Sequence, residues 1–487
     1  MSRRTQFRLL VALTVVWAAW TGWSLLGQST PYTLRVTDDV GVPIASAVVD
    51  VGGSQVGTTG AEGKVDMEWN RSNRVVEVSA PGHISRTVTI DESPGTTLDV
   101  VLNARVLRGR VLDAAGDPVE AVTVVAGPAS GLTDEEGRFD LRGAEPGSVS
   151  VHRPAWVPTS FTWDGGPGEA VVTVEPFAAR AVHISGEAIG NNFGMFLDMA
   201  ADTELNAVML DLKDESGFVW YDSQDPTALS VGAVSAVYDL ASVVQRSHDA
   251  GLYVIGRLVI FQDPVAAVGK PSMAVWDSDL ESPYSANGQF FLDPTDPDAR
   301  AYALALAAEA CEAGVDEIQF DYVRFPDARR ESAQFDEGVT QDVRVATITG
   351  FLRESVALLH PMGCAVGADI FGFLTAALDD GGIGQRWEDI TEVVDVASPM
   401  VYPSHYGPGW YGYDNPNDHP SDMVRRALED AMERLPRSVV VRPWLQDFGY
   451  STESVRAQID SAEAFGLGWM LWNAKSNVTV AALDPPE

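Results

Sequence analysis

The chain of 487 residues carries 69 acidic and 33 basic side chains, a formal net charge of −36, which excludes a nucleic-acid binder because neutralising phosphates needs a cationic surface. A content of 45% hydrophobic, 9% aromatic and 21% charged residues excludes a disordered chain, since such a composition can bury cores. At roughly 100–200 residues per domain, the length points to about three domains.

The first thirty residues contain no acid but include Arg3, Arg4 and Arg8, so the remainder carries −39. The basic start precedes an apolar run from Leu9 to Leu26, 18 residues long, short for a membrane span. It reads as a signal peptide or an uncleaved signal anchor. Trp20, Trp23, Leu25 and Leu26 are bulky where a peptidase wants small residues, which favours the anchor. Either reading predicts an exported protein, held at the outer face of the cytoplasmic membrane or secreted.

Residues 31–178 contain an internal repeat. VTDDVGVPIASAVVDV (Val36–Val51) is answered 75 residues later by VLDAAGDPVEAVTVVA (Val111–Ala126), and TTGAEGKVDM (Thr58–Met67) 74 residues later by LTDEEGRFDL (Leu132–Leu141). Short β-branched runs alternate with Gly, Pro and Asp clusters, the pattern of an all-β sandwich. Two modules are expected, 31–103 and 104–178. The DxxGxP opening and the later TxxxGx(F/V) line resemble carboxypeptidase regulatory-like, transthyretin-like domains. The resemblance implies spacers or carbohydrate-binding accessories, and the scarcity of clustered aromatics favours spacers.

From residue 179 to 487, apolar runs alternate with helical segments, the pattern of a parallel sheet. Eight runs are expected as strands, at 181–185, 205–212, 252–261, 315–323, 364–371, 393–402, 438–445 and 467–473. Helices are expected at Val234–Ala250, Ala299–Ala313, Val343–Leu359, Asp422–Leu435 and Glu453–Phe465. Eight strands in this length suit a (β/α)8 barrel, a TIM barrel. Only 14 residues follow Asn473, so the eighth helix should be short or missing. The predicted fold class is therefore multidomain: two all-β sandwich modules, an α/β barrel, and an N-terminal signal or anchor helix at 1–30.

Barrel chemistry sits at the carboxyl ends of the strands. There the sequence places LDLKDE (Leu210–Glu215), RLVIFQDP (Arg257–Pro264), FDYVRFP (Phe320–Pro326), ADIFG (Ala368–Gly372), SPMVYPSHY (Ser398–Tyr406), RPWLQDF (Arg442–Phe448) and LWN (Leu471–Asn473). Aspartate inside strands is unusual. Alternation in strand four puts Glu317, Gln319, Asp321 and Val323 inward and Ile318, Phe320 and Tyr322 outward. An inward Asp321 is either catalytic or paired with Arg257, Arg324 or Arg442, because an unpaired buried carboxylate is costly. Ala365 and Gly367, on the face of Asp369, are expected to leave room for a ligand.

Two carboxyls at adjacent strand ends suit glycosidic hydrolysis, in which one stays ionised and its partner keeps a proton. The catalytic candidates are Asp321 and Asp369. Candidates for holding sugar are Asp211, Asp214, Arg257, Arg324, Tyr402, His405, Arg442, Trp444, Gln446, Asp447, Trp472 and Asn473, with Trp410 and Tyr411 as further stacking surfaces. The seven histidines show no HxH or HExxH spacing and no GxSxG elbow occurs, so no metal and no cofactor are expected. Cys311 and Cys364 are either buried thiols or a disulfide. The segment Pro264–Pro297 is either a lid or a packing element.

TELNAVMLDLKDESG (Thr203–Gly217), DEIQFDYVRFP (Asp316–Pro326), ADIFG, SPMVYPSHY, RPWLQDF and WMLWNA (Trp469–Ala474), in that order, closely resemble a bacterial glycoside-hydrolase-like domain family long catalogued as a domain of unknown function. The resemblance covers about 180–476 and implies a barrel related to retaining and inverting glycosidases, acting on an extracellular or cell-envelope polysaccharide. By that analogy Asp321 is the nucleophile or base and Asp369 the acid. The alternative is an envelope-polysaccharide-binding surface protein without turnover.

Overall fold

The computed structural model describes residues 29–71, 74–327, 329–436 and 438–486. The apolar run Leu9–Leu26 lies outside them, and among the described residues no helix is long and apolar enough to cross a membrane. The chain forms two compact units, one of residues up to Arg153 with 158–175, the other of 154–157 with residues from Pro176 on.

The first unit contains the repeat as a repeat of structure. One module has strands Thr30–Asp38, Val48–Val51, Ser54–Thr58, Lys64–Trp69, Val75–Ser79, Arg86–Thr89 and Thr97–Leu102. The next has Val106–Leu112, Thr123–Ala126, Ala129–Leu132, Arg138–Arg142, Gly147–His152, Thr159–Trp163 and Glu169–Thr173. In both, strands four, one and seven form one sheet and strands three, two, five and six the other. The repeated sequence lines have physical causes. Asp38 and Asp113 each accept two backbone N–H bonds of the following turn through Oδ1. Thr59 and Thr133 are buried and bond Ala47 N and Ile44 O, or Val122 N and Val119 O. Gly63 and Gly137 have φ of +69° and +70°, and a Cβ on either would stand 2.4 Å from a backbone carbonyl, so only glycine fits.

The second unit is a closed barrel of eight parallel strands, all where the sequence places them: β1 (Arg180–Ile184), β2 (Ala207–Lys213), β3 (Tyr253–Val259), β4 (Glu317–Asp321), β5 (Ala365–Phe371), β6 (Val396–Val401), β7 (Val440–Val441 and Trp444–Gln446) and β8 (Trp469–Trp472). β1 pairs with both β2 and β8, which closes the ring. Helices α1 (Gly186–Asp202), α2 (Leu240–Asp249), α3 (Pro297–Glu312), α4 (Gln341–Leu359), α5 (Trp387–Thr391), α6 (Pro420–Glu433) and α7 (Thr452–Glu463) follow in order. Side-chain caps from Ser185, Asp239, Asp296, Thr340 and Ser451 start five of them, each satisfying an N–H that the helix leaves free. After β8 only the 3-10 turn Val480–Ala482 occurs among the described residues.

Three expectations are corrected. Val234–Tyr238 is a strand beside Val219–Tyr221, and the helix starts only after Asp239; valine and tyrosine favour the extended chain. At the end of β4, Tyr322 takes φ +51°, which ends the alternation, so Val323 joins the core against the helices and Tyr322 turns to the site. A Cβ on Gly367 would meet Gln319 Oε1 at 3.0 Å and Glu317 Oε1 at 3.1 Å, so the room beside β5 is filled by these side chains. The segment Pro264–Pro297 resolves as packing: Val275, Tyr284, Ala286 and Phe291 form a small core with Ala333.

Cys311, at the end of α3, and Cys364, before β5, form a disulfide with Cα atoms 6.0 Å apart, at a sequence separation of 53. It ties together elements on either side of β4. Replacing both cysteines by alanine is expected to lower unfolding free energy by about 2–4 kcal/mol, measured by denaturant titration; thiol labelling of the native protein should find no reactive sulfur before reduction.

Candidate active site

The barrel interior changes character from bottom to top. Ala181, Ala207, Met209, Ile255 and Met470 form an apolar layer. Next, on β4 and β7, Glu317 and Arg442 are fully buried and pair at 2.8 Å. Toward the carboxyl ends lies the main ionic cluster, built around Arg257 of β3.

Arg257 is 1% exposed. Its Nη1 donates to Asp211 Oδ1 at 2.8 Å and its Nε to Asp321 Oδ2 at 3.0 Å. Its Nη2 donates to Asp321 Oδ2 at 2.5 Å and to Glu215 Oε1. Burial works against the charge of Arg257, but Glu215, Asp321 and Asp211 more than offset it and hold the guanidinium firmly protonated. Asp211 is buried too, yet His183 and Arg257 keep its carboxyl below the usual range. His183 of β1 places Nδ1 2.9 Å from Asn473 O and Nε2 2.9 Å from Asp211 Oδ2. The carbonyl of Asn473 can only accept, so Nδ1 donates to it, and the ring ties the end of β8 to Asp211. Trp472 of β8 packs against both, 4.6 Å from the Arg257 guanidinium and 4.2 Å from the His183 ring, and the negative face of the indole favours the guanidinium contact.

Asp369 of β5 is 1% exposed. Its Oδ1 accepts from Gln319 Nε2 and from Trp444 Nε1, each at 2.6 Å, whereas Oδ2 has no protein partner. Burial, then the negative charge of Asp321, pushes the Asp369 carboxyl well above the usual carboxylate range. Burial also raises Asp321, but Arg257 pulls against it. The two carboxyls therefore differ in what surrounds them: a cation touches Asp321, and only neutral donors touch Asp369.

A cavity of about 320 Å³ opens above this cluster. Asp321, Asp369, Arg257, Arg324, Tyr402, His405, Trp444 and Trp472 all line it. The other predicted site residues lie outside its lining. Asp211 sits beneath Arg257, and Arg442 belongs to the buried pair with Glu317. Asp214 caps its own turn through Ser216. Gln446 bonds Ser404 and Phe448 O. Asn473 donates to Asp447 O, and Asp447 Oδ2 accepts from Thr479 N. These bonds join neighbouring strand ends, while Asp447 Oδ1 and Arg442 Nε and Nη2 are buried without a protein partner. Trp410 and Tyr411 are also absent from the lining, and Tyr411 is held by Asp430 at 2.6 Å.

The cavity adds residues that strand-end reading passed over: Glu215, Tyr322, Phe371, Phe373, Gln385, Met400 and Tyr406. Gln385 donates to Asp369 O at 2.8 Å and accepts from Phe371 N, fixing the end of β5. His183, in AVHIS, carried the same signal that marked the aspartates, a polar residue inside a barrel strand.

Fold and site together define a (β/α)8 barrel of glycoside-hydrolase type with two neighbouring carboxyls, Asp321 and Asp369, at the carboxyl ends of its strands. Residues 181–478 match the family described as putative glycosyl hydrolase domain, and the chain belongs to that family. A hypothetical protein from Ruminiclostridium thermocellum is 35% identical over 39% of this chain and 96% of its own, with a TM-score of 0.36. The glycoside hydrolase domain of PgaB (BpsB) from Bordetella bronchiseptica is 14% identical, covering 63% of this chain and 99% of its own with a TM-score of 0.48. The glycoside hydrolase domain of PelA from Pseudomonas aeruginosa is 10% identical over 62% of this chain and 96% of its own, TM-score 0.39. None of the curated proteins compared matches the chain.

Arg257→Met strands three carboxylates around a neutral side chain. The substitution is expected to cost about 3–5 kcal/mol of stability at neutral pH, and the loss should shrink as acid protonates the carboxylates. Denaturant titrations of both proteins at neutral and mildly acidic pH check this.

Proposed function

We propose that the barrel hydrolyses the glycosidic bonds of a polysaccharide, with Asp321 as the ionised carboxylate and Asp369 as the acid. The observation that carries the reading is the unequal surroundings of the two carboxyls. Arg257 stabilises negative charge on Asp321. Asp369 is buried beside that charge, and two donors occupy its Oδ1, so its proton belongs on Oδ2. In the reaction, Asp369 gives this proton to the leaving oxygen while Asp321 either attacks the anomeric carbon or activates a water. Trp444 and Trp472 form part of the cavity wall beside the two carboxyls.

Export is part of the same proposal. The Cys311–Cys364 disulfide suits an oxidising compartment, and the run Leu9–Leu26 would serve as signal or membrane anchor. The two repeated modules, with their resemblance to carboxypeptidase regulatory-like domains, would then serve as a spacer before the barrel.

Asp321→Asn and Asp369→Asn are each expected to lower turnover by at least about 100-fold, measured by reducing-end release from a glycan panel. Glycan binding by the wild type without any release would instead favour a polysaccharide-binding protein. Turnover should follow a bell-shaped pH profile, rising as Asp321 ionises and falling as Asp369 loses its proton, with both limbs above the ordinary carboxylate range because both groups are raised.

The same shift predicts a stability effect. Because the native pKa of Asp369 lies above its unfolded value, its contribution is complete below the ordinary carboxylate range and is lost as pH rises through the native value. Asp369→Asn should therefore melt at a higher temperature than the wild type at neutral pH, with the difference narrowing in acid; thermal melts across pH check it.

A further inference from the structure

Arg324, three residues past Asp321, is 5% exposed and lines the cavity. Its guanidinium stands among three rings, 4.8 Å from Tyr322, 5.1 Å from Phe371 and 5.5 Å from Phe291. Nη1 donates to Phe325 O at 3.0 Å. Its one ion-pair partner among the described residues is Asp327, at 3.9 Å and with 55% of its side chain exposed. Other buried guanidiniums of the barrel are provided for differently. Arg257, Arg344 and Arg442 each have a buried carboxylate within hydrogen-bond distance.

In a chain with 69 acids against 33 bases, a buried arginine left without a close carboxylate is a departure that calls for a cause. A buried cation is costly unless something compensates it. The surrounding rings supply only partial compensation, and a sugar hydroxyl carries no charge. The rings accept no hydrogen bond in the guanidinium plane, and Nη1 donating to Phe325 O is the one hydrogen bond seen for the group among the described residues, so its remaining N–H groups suit a planar or tetrahedral oxyanion.

We propose that Arg324 is an anion-binding subsite, so that the substrate is an acidic glycan whose carboxylate or ester-linked sulfate lies against this guanidinium. The proposal rests on the hydrolase reading for where the glycan sits. Arg324 follows Asp321 on the same strand end and touches Phe371, two residues beyond Asp369. The acidic group would therefore belong to a sugar at or next to the cleaved bond. Glycans bearing free amines would meet an unfavourable charge at this position.

The test uses the full chain carrying Asp369→Asn for binding and the wild type for turnover. Probes are an oligouronide, the same oligosaccharide with its carboxyls reduced to alcohols, a sulfated neutral oligosaccharide, and an oligosaccharide of glucosamine. By calorimetry, the oligouronide or the sulfated glycan is expected to bind about tenfold or more tightly than the reduced ligand, and which of the two does so identifies the anion. Adding Arg324→Gln should bring that ratio to about one, whereas Arg324→Lys should retain part of it. If Arg324→Gln does not fold, the ratio between charged and reduced ligands in the Arg324 protein decides alone. Equal binding of charged and reduced ligands, or preference for the glucosamine glycan, overturns the subsite while leaving hydrolysis intact. Tight binding of the acidic glycan with no cleavage by the wild type overturns the hydrolase reading and leaves the subsite standing.

Discussion

The guanidinium of Arg257 holds Asp211, Glu215 and Asp321 from a single position inside the barrel, and the electrostatics of the rim follow from that contact. With this cation in place, Asp321 can remain an anion although it is buried. With Asp321 an anion, the neighbouring Asp369 is driven toward its neutral form. His183 bonds Asp211 and, together with Arg257, keeps that carboxyl below the usual range. One guanidinium among several carboxyls is thus arranged to make two aspartates behave differently.

The same cluster explains why the interior is layered. Charged pairs in a low-dielectric core require good geometry and satisfied hydrogen bonds to be tolerated. The barrel supplies close pairing by setting Arg442 on Glu317 and placing Gln319 where its amide reaches Asp369, although Arg442 Nε and Nη2 and Gln319 Oε1 are buried without a hydrogen-bond partner. Gly367 makes this possible, since any side chain there would push into Gln319 and Glu317. Trp444 serves twice, packing against the apolar layer and donating its indole N–H to Asp369. Its ring is perpendicular to Trp472, so the two aromatics form a corner of the cavity.

Much of this was legible in the sequence for identifiable reasons. Barrel strands are buried on both faces and read as apolar runs, which is why all eight were found, and polar residues within them stood out. The alternation along β4 placed Glu317, Gln319 and Asp321 together inside. It failed at Tyr322, where a positive φ reverses the pattern without a glycine to announce it. It failed also after β2, where the register shifts between Asp211 and Lys213. Past such a bulge, alternation cannot tell which of Asp214 and Glu215 turns inward; the structure selects Glu215. Nor could the sequence tell which rim residues line the cavity. Gln446, Asp447 and Asn473 sit at strand ends as a binding residue would, and their hydrogen bonds go to protein.

The central claim is that Asp321 is charged and Asp369 neutral at the pH of action. Infrared difference spectroscopy of the full chain against Asp369→Asn tests it most directly, because a protonated carboxyl has its own C=O stretch. At neutral pH the wild type should show a protonated-carboxyl band that is missing from Asp369→Asn. A wild-type spectrum without that band, or one in which it survives the substitution, would contradict the account.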